Sequence, residues 1–274
     1  MKILIAADME GITGVVHADQ TNPSHAEYGR FRKLMTGDVN AAIAGAHAGG
    51  ADEVVVSDGH WDGRNVLIEE LDNRARLNSG TPAPFSMVQG VDAGVDGVLF
   101  IGYHARVGTP DATLDHTWSG ARVAGVWLNN APIGEIGLNA AVCGHFGVPV
   151  LMISGDQNAC AEAVTLLGSI ETAVVKRASG RTAAECLPPD VSQRLIQEAA
   201  QRAVERRRAG QAPAPFCPPP PITIAVEFVR SEMADAAAIL PGARRVEGKR
   251  VEYTAGDMPT ASRAFRALVG LANG

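Results

Sequence analysis

The chain has 274 residues, 46% of them hydrophobic and 20% charged, with a formal net charge of −6. That balance describes an ordinary soluble globular protein with ample length for a core, and it argues against nucleic acid or an anionic membrane as the main partner. No run of about 18 apolar residues occurs, so no transmembrane helix is expected.

The opening stretch "MKILIAADME" has one lysine and an apolar run, as a secretion signal does. Carboxylates interrupt it early and no small-residue cleavage site follows, so it reads as a first β-strand of a cytoplasmic protein. A polar loop leads to a helix around "RFRKLMTGDVNAAIAGAHAGG", ended by its glycine pair. "EVVVSDGH" is a strand, followed by a helix near "LIEEL" and two more strands, "GVLFIGYH" and "RVAGVWLNN". "IGEIGLNAAVCGHFG" reads as a helix, "VPVLMISGD" as a strand and "QNACAEAVTLLG" as a helix. This rhythm predicts an α/β fold, a largely parallel sheet with helices on both faces, plus a small C-terminal α+β unit.

A long helix, "PDVSQRLIQEAAQRAVERRR", runs into the proline-rich "AGQAPAPFCPPPP". The expected organisation is a catalytic domain over 1–210, a linker over 211–221 and a C-terminal unit over 222–274. That unit comprises "ITIAVEFV", an Ala-rich helix, a hairpin in "RRVEGKRVEYTA" and a last helix, "ASRAFRALVGLAN". It is too small to stand alone and is expected to pack on the main domain as a wall or lid. The four cysteines are scattered without a C-x-x-C pair and read as reduced, mostly buried thiols.

Three successive apolar strands stop at residue types that bind metals: the first at Asp8 and Glu10, the second at His60, the third at His104. On a strand, residues i and i+2 share a face, which would project Asp8 and Glu10 together, roughly 6.5 Å apart. Ligand sites in open α/β sheets form beyond the carboxyl ends of the strands, where His60 and His104 also fall. Glu135 joins them where "NNAPIGEIGLNAA" passes from strand to helix. Buried carboxylates need compensating positive charge, and this segment has no nearby lysine or arginine. Two divalent ions and a hydroxide would bring the sum with Asp8, Glu10 and Glu135 to zero. The mixed nitrogen and oxygen set suits zinc, with manganese or cobalt as alternatives, and Asp8 is the expected bridge.

Each residue taken alone has a plainer role. Asp8 or Glu10 could cap a turn before Gly11, His60 could be a loop histidine, and His104 could be a satisfied buried imidazole. Glu135 could simply complement a helix dipole. One shared cause explains the coincidence at three strand ends better than independent accidents. His116, in "TPDATLDHTWSG", lies in a loop overhanging the same edge and could reach substrate without being a ligand. His47 and His145 read as structural, and His17 and His25 are weak candidates. There is no P-loop, no G-x-G-x-x-G after a strand, no H-E-x-x-H helix and no nucleophile elbow.

The ordered pieces "DMEGITG", "SDGH", "PFSMVQG", "GYHA", "GEIGLNA" and "VPVLMISGD" resemble the M55 family of zinc aminopeptidases, the D-aminopeptidase group. The resemblance spans about residues 1–190 and is looser beyond, resting on "EF" at Glu227 and the stretch around "LPGA". It implies a dinuclear zinc site on Asp8, Glu10, His60, His104 and Glu135, with His116 as the catalytic histidine. It also implies a ring-like homo-oligomer, a decamer, with an internal chamber that admits short peptides. Gly59 departs from the family pattern, in which a serine is expected before the histidine, and this bears on the support of His60. The activity implied is metal-assisted removal of the N-terminal residue from short peptides, such as D-Ala-D-Ala. Rival readings are a dinuclear hydrolase of another amide or of a phosphoester, and a non-catalytic peptide-binding module. Basic side chains close to the ligands would favour a phosphoester, and only Arg106 and Arg122 are near in sequence.

Overall fold

In the computed structural model, which describes residues 1–272, the first apolar run forms β1 (Lys2–Ala7), with Ile3 to Ala7 all buried. Its neighbours are α1 (Tyr28–Ala48), β2 (Glu53–Asp58), β3 (Ala75–Asn78) and β4 (Gly97–Ile101). The chain continues through β5 (Val123–Leu128), β6 (Ala131–Pro132), α2 (Glu135–His145), β7 (Val150–Asp156), α3 (Gln157–Leu167), β8 (Glu171–Gly180), β9 (Ala183–Cys186) and α4 (Pro189–Arg208). It ends with β10 (Ile222–Phe228), α5 (Ser231–Ala237), β11 (Ala243–Arg245), β12 (Arg250–Ala255) and α6 (Met258–Leu271).

Seven strands form the main sheet in the order β3-β2-β1-β4-β7-β8-β9, parallel except for the last pair. Covered on both faces, its central strands read as unbroken apolar runs rather than alternating ones. Ile3, Ile5 and Ala7 face a core built with Phe31, Met35 and Val39 of α1 and Ile196 and Ala199 of α4. The two helices pack closely: a Cβ on Gly45 of α1 would lie 2.2 Å from the Gln197 carbonyl oxygen of α4, so only glycine fits.

Leu4 and Ala6 face the opposite way, into a core shared with a second, antiparallel sheet of order β11-β12-β10-β5-β6. Two of its strands, β5 and β6, come from the middle of the chain: β5 pairs with β10, and β6 pairs with β5 at the edge. The amphipathic α6 buries Phe265 and Leu268 in the same core. The segment predicted as a helix near "LIEEL" is a single 3-10 turn at Ile68–Glu70, while "RRVEGKRVEYTA" forms the β11–β12 hairpin. Among the described residues, no helix is long and apolar enough to cross a membrane.

Candidate metal centre

The parallel strands deliver their loops to one edge of the sheet, and there Asp8, Glu10, His60, His104 and Glu135 come together, all buried. The local reason differs from the strand alternation expected of Asp8 and Glu10. Strand β1 stops at Ala7; the Asp8 amide still bonds the Ile101 carbonyl at 2.8 Å, and the chain then turns so that the Gly11 amide reaches the Gly102 carbonyl, also at 2.8 Å. A Cβ on Gly11 would sit 2.0 Å from the Tyr103 carbonyl oxygen, so glycine is what lets the turn lie against β4's exit loop. His60 and His104 stand two and three residues past their strands. Glu135 is the first residue of α2, and its Oε1 accepts the Trp118 amide at 2.7 Å.

Asp8 faces two imidazoles with different oxygens. Its Oδ1 is 3.3 Å from His60 Nδ1, and its Oδ2 is 3.4 Å from His104 Nε2. Glu10 Oε2 lies 3.1 Å from His60 Nδ1, and Glu135 Oε1 lies 3.2 Å from His104 Nε2. Two overlapping groups thus share the cluster, one around His60 and one around His104, joined by Asp8.

Each ring is held from behind by a backbone carbonyl: His60 Nε2 by Thr21 at 2.9 Å, His104 Nδ1 by Ala105 at 3.0 Å, and His116 Nδ1 by Leu114 at 2.9 Å. A carbonyl accepts only from N–H, so the opposite nitrogen of each neutral ring presents its lone pair to the carboxylates. That is how ligating histidines are oriented.

Charge in the cluster is unbalanced without cations. Burial pushes Asp8 and Glu10 up, yet the facing imidazoles more than offset it and hold both below the usual carboxylate range. Burial likewise pulls His60 and His104 down, and the carboxylates overcome it, raising both well above an ordinary histidine. Protons on these rings stand in for missing positive charge. Asp8 Oδ2, Glu10 Oε2 and His104 Nε2 are also buried with no hydrogen-bond partner. Orphaned donor atoms of both element types, converging within a few ångströms, fit divalent metal ions.

His116 lies at the mouth. Its ring stacks on His104 with centroids 4.1 Å apart, and its Nε2 is 3.8 Å from Glu135 Oε1. It lines, with Asp8, Glu10, His60 and Glu135, a cavity of about 740 Å³. His104, His116 and Glu135 also lie close enough together to form a metal-binding trio of their own. His116 is less buried than the other members of the cluster, and its ring is offered to the cavity.

Several contributors were not read from the sequence. The Nζ of Lys176, fully buried on β8, donates to the carbonyls of Glu10, Ile12 and Val15 at 2.6, 3.0 and 2.5 Å, clamping the turn that carries Glu10. Burial pulls this lysine down to about 8. Asp38 of α1 accepts from the Thr13 amide and hydroxyl, pinning the same turn from the other side. Arg122, Arg181 and Arg266 line the cavity, whereas Arg106 is not part of its lining.

The remaining candidates lie outside the cluster. His17 caps a 3-10 turn, His25 pairs with Asp19, His47 bonds the Ala51 carbonyl, and His145 ends α2 against Phe146. Cys143 and Cys160 are buried, Cys186 is half-buried and Cys217 is exposed, all unpaired. Gly59 has a local explanation: a Cβ there would meet the Ala7 carbonyl oxygen and the Met87 side chain at 3.0 Å, so a serine would crowd both. His60 is supported instead through Thr21 and through Asn65, whose Nδ2 donates to the His60 carbonyl at 2.5 Å.

Comparison with known proteins shows what the whole chain is similar to. Residues 1–267 match the model of the family Peptidase_M55, D-aminopeptidase. A D-aminopeptidase of Bacillus subtilis (strain 168) is 37% identical over 273 residues, covering 99% of this chain and 98% of its own. The solved structure of the Zn-dependent D-aminopeptidase DppA from Bacillus subtilis, a self-compartmentalizing protease, superposes with a TM-score of 0.95 at 37% identity, covering 99% of this chain and 98% of that one. With a family match over nearly its whole length, and a relative of this identity spanning all but a few residues, the chain belongs to the M55 D-aminopeptidase family.

Proposed function

We propose that this protein is a zinc aminopeptidase that removes the N-terminal residue from short D-amino-acid peptides such as D-Ala-D-Ala, with two zinc ions per subunit. One observation carries the reading: Asp8 Oδ2, Glu10 Oε2 and His104 Nε2 converge, buried and unpartnered, at the edge of the sheet where a cavity opens. Family membership supports the reaction. Asp8, Glu10, His60, His104 and Glu135 would hold the two ions, with Asp8 shared between the His60 and His104 groups. The imidazole and carboxylate donors favour zinc over manganese or cobalt.

Bound zinc supplies Lewis acidity, polarising a carbonyl and making water nucleophilic near neutral pH. The chain's own side chains do the rest. The α-amine of a peptide would be met at this same centre, by a ligand carboxylate or by zinc, which selects a free amino terminus. Trp118 fixes the Glu135 carboxylate through its amide. His116, its Nδ1 tied to Leu114, keeps Nε2 toward the cavity, where it can take the proton released by the attacking water and, once protonated, stabilise the developing oxyanion or pass that proton to the leaving amine, worth roughly 10²–10⁴-fold.

Similarity to a self-compartmentalizing protease supports a homo-oligomer, and a decameric chamber is part of the proposal. Four unpaired cysteines support a reducing, cytoplasmic location. Zinc titration into metal-stripped protein, followed by D-Ala release from D-Ala-D-Ala, tests the reading. Activity should plateau at two equivalents per chain; a plateau at one, or no release, contradicts it.

A further inference from the structure

Side chains of both charge signs line the cavity over the carboxylate cluster. Its floor holds Asp8, Glu10 and Glu135, while Arg122, Arg181 and Arg266 stand on its wall. Arg181 is neutralised by Asp115, its Nε 3.1 Å from Oδ1. The other two have no carboxylate partner among the described residues. Arg266 Nη1 donates to the carbonyls of Ala83 and Pro84 at 2.8 and 3.1 Å, and Arg122 Nη1 reaches the Val269 carbonyl at 3.4 Å. Both are half-buried, so each guanidinium gives up hydration and recovers only part of it from neutral acceptors. For Arg266 burial lowers the pKa below the ordinary guanidinium value, and no anion offsets it. The wall is continuous with the metal centre. The Trp118 amide holds Glu135, the Trp118 ring packs edge-on against Phe265 with centroids 5.4 Å apart, and Arg266 is the next residue of α6.

Resting on the aminopeptidase reading above, we infer that Arg122 and Arg266 form a carboxylate subsite that binds the free C-terminus of the peptide, making the enzyme selective for unblocked, very short peptides. A guanidinium presents several N–H donors in a plane suited to a carboxylate, and among the described residues only Nη1 of each has a protein acceptor. An extended dipeptide or tripeptide has its ends about 7–10 Å apart, and Arg122 and Arg266 line the same cavity as the centre that would meet its amine. The same arrangement explains basic residues in the cavity without a phosphoester substrate: they stand on the wall, and no arginine or lysine ion-pairs with Asp8, Glu10 or Glu135 among the described residues.

The test compares zinc-loaded enzyme on D-Ala-D-Ala and on D-Ala-D-Ala amide, which share the scissile bond and differ only in the terminal charge. The free acid should have a kcat/KM roughly ten- to a hundredfold higher, the range of a charge-assisted contact, with the difference mainly in KM. In Arg266→Met and Arg122→Met that preference should collapse toward one, with the amide reaction reporting that each variant is folded. Equal kcat/KM for acid and amide in the wild type overturns the subsite while leaving the aminopeptidase intact. So does an acid preference that survives in both variants. Failure to cleave either substrate overturns the aminopeptidase reading, and the subsite with it.

Discussion

The imidazoles of His104 and His116 stack nearly parallel, with centroids 4.1 Å apart and planes 12° apart. Glu135 Oε1 lies 3.2 Å from one Nε2 and 3.8 Å from the other. Two adjacent rings on one carboxylate invite a division of labour. His104 is deeply buried with an orphaned Nε2 and is suited to a metal; His116 borders the cavity and is suited to protons.

His116→Ala is therefore expected to keep its full zinc content while kcat falls by roughly 10²–10⁴-fold. Elemental analysis beside D-Ala-D-Ala turnover measures both. Loss of a zinc ion together with activity would make His116 a ligand instead.

The two-sided position of Asp8 predicts a graded pattern of metal loss. His60→Ala and His104→Ala should each retain about one zinc per chain, and Asp8→Ala should retain neither. Equal retention in all three variants would remove Asp8 from the bridging role.

Lys176 holds the turn after β1 by three carbonyls. In Lys176→Met those acceptors are stranded, each costing about 1–3 kcal/mol, while removing a buried charge recovers part of the loss. The net expectation is a destabilisation of roughly 2–4 kcal/mol in urea unfolding, with weaker zinc binding because Glu10 rides on that turn. Unchanged stability would show that the carbonyls find other donors.

Burial raises the Asp38 carboxyl from 3.8 to about 6, against the opposing pull of its Thr13 hydrogen bonds. The folded chain therefore holds this proton over a pH range in which the unfolded chain has released it. Its contribution is largest below the unfolded pKa and is lost as pH rises through the folded one, a change of about 3 kcal/mol. The stability of wild type relative to Asp38→Asn should accordingly fall by about that amount between about pH 4 and pH 7. A pH-independent difference between the two unfolding curves would contradict the raised pKa.

Much of this site could be read from the sequence because a parallel sheet sends every β-to-α loop to the same edge. Asp8, His60 and His104 each follow an apolar run, so their convergence followed from topology alone. The alternation argument for Asp8 and Glu10 did not describe the real cause, since a glycine-dependent turn brings them together after β1 has ended. Lys176 gave no signal: a register shift between β7 and β8 leaves both Val175 and Lys176 buried, and such a bulge is invisible in an apolar run. The membership of β5 in the second sheet was equally hidden, because one apolar strand resembles another until its partner is known. Arg266 sits on the last helix, where an arginine reads as part of a solvated face until α6 is docked beside the cavity.

The most direct test of the central claim is release of free amino acid from D-Ala-D-Ala and L-Ala-L-Ala, side by side, with chelator and after zinc is restored. The expected result is hydrolysis of the D,D dipeptide that chelator abolishes and zinc recovers, with the L,L dipeptide left largely intact. D,D hydrolysis that persists in metal-stripped protein, or zinc-loaded protein that cleaves only the L,L form, would contradict the account.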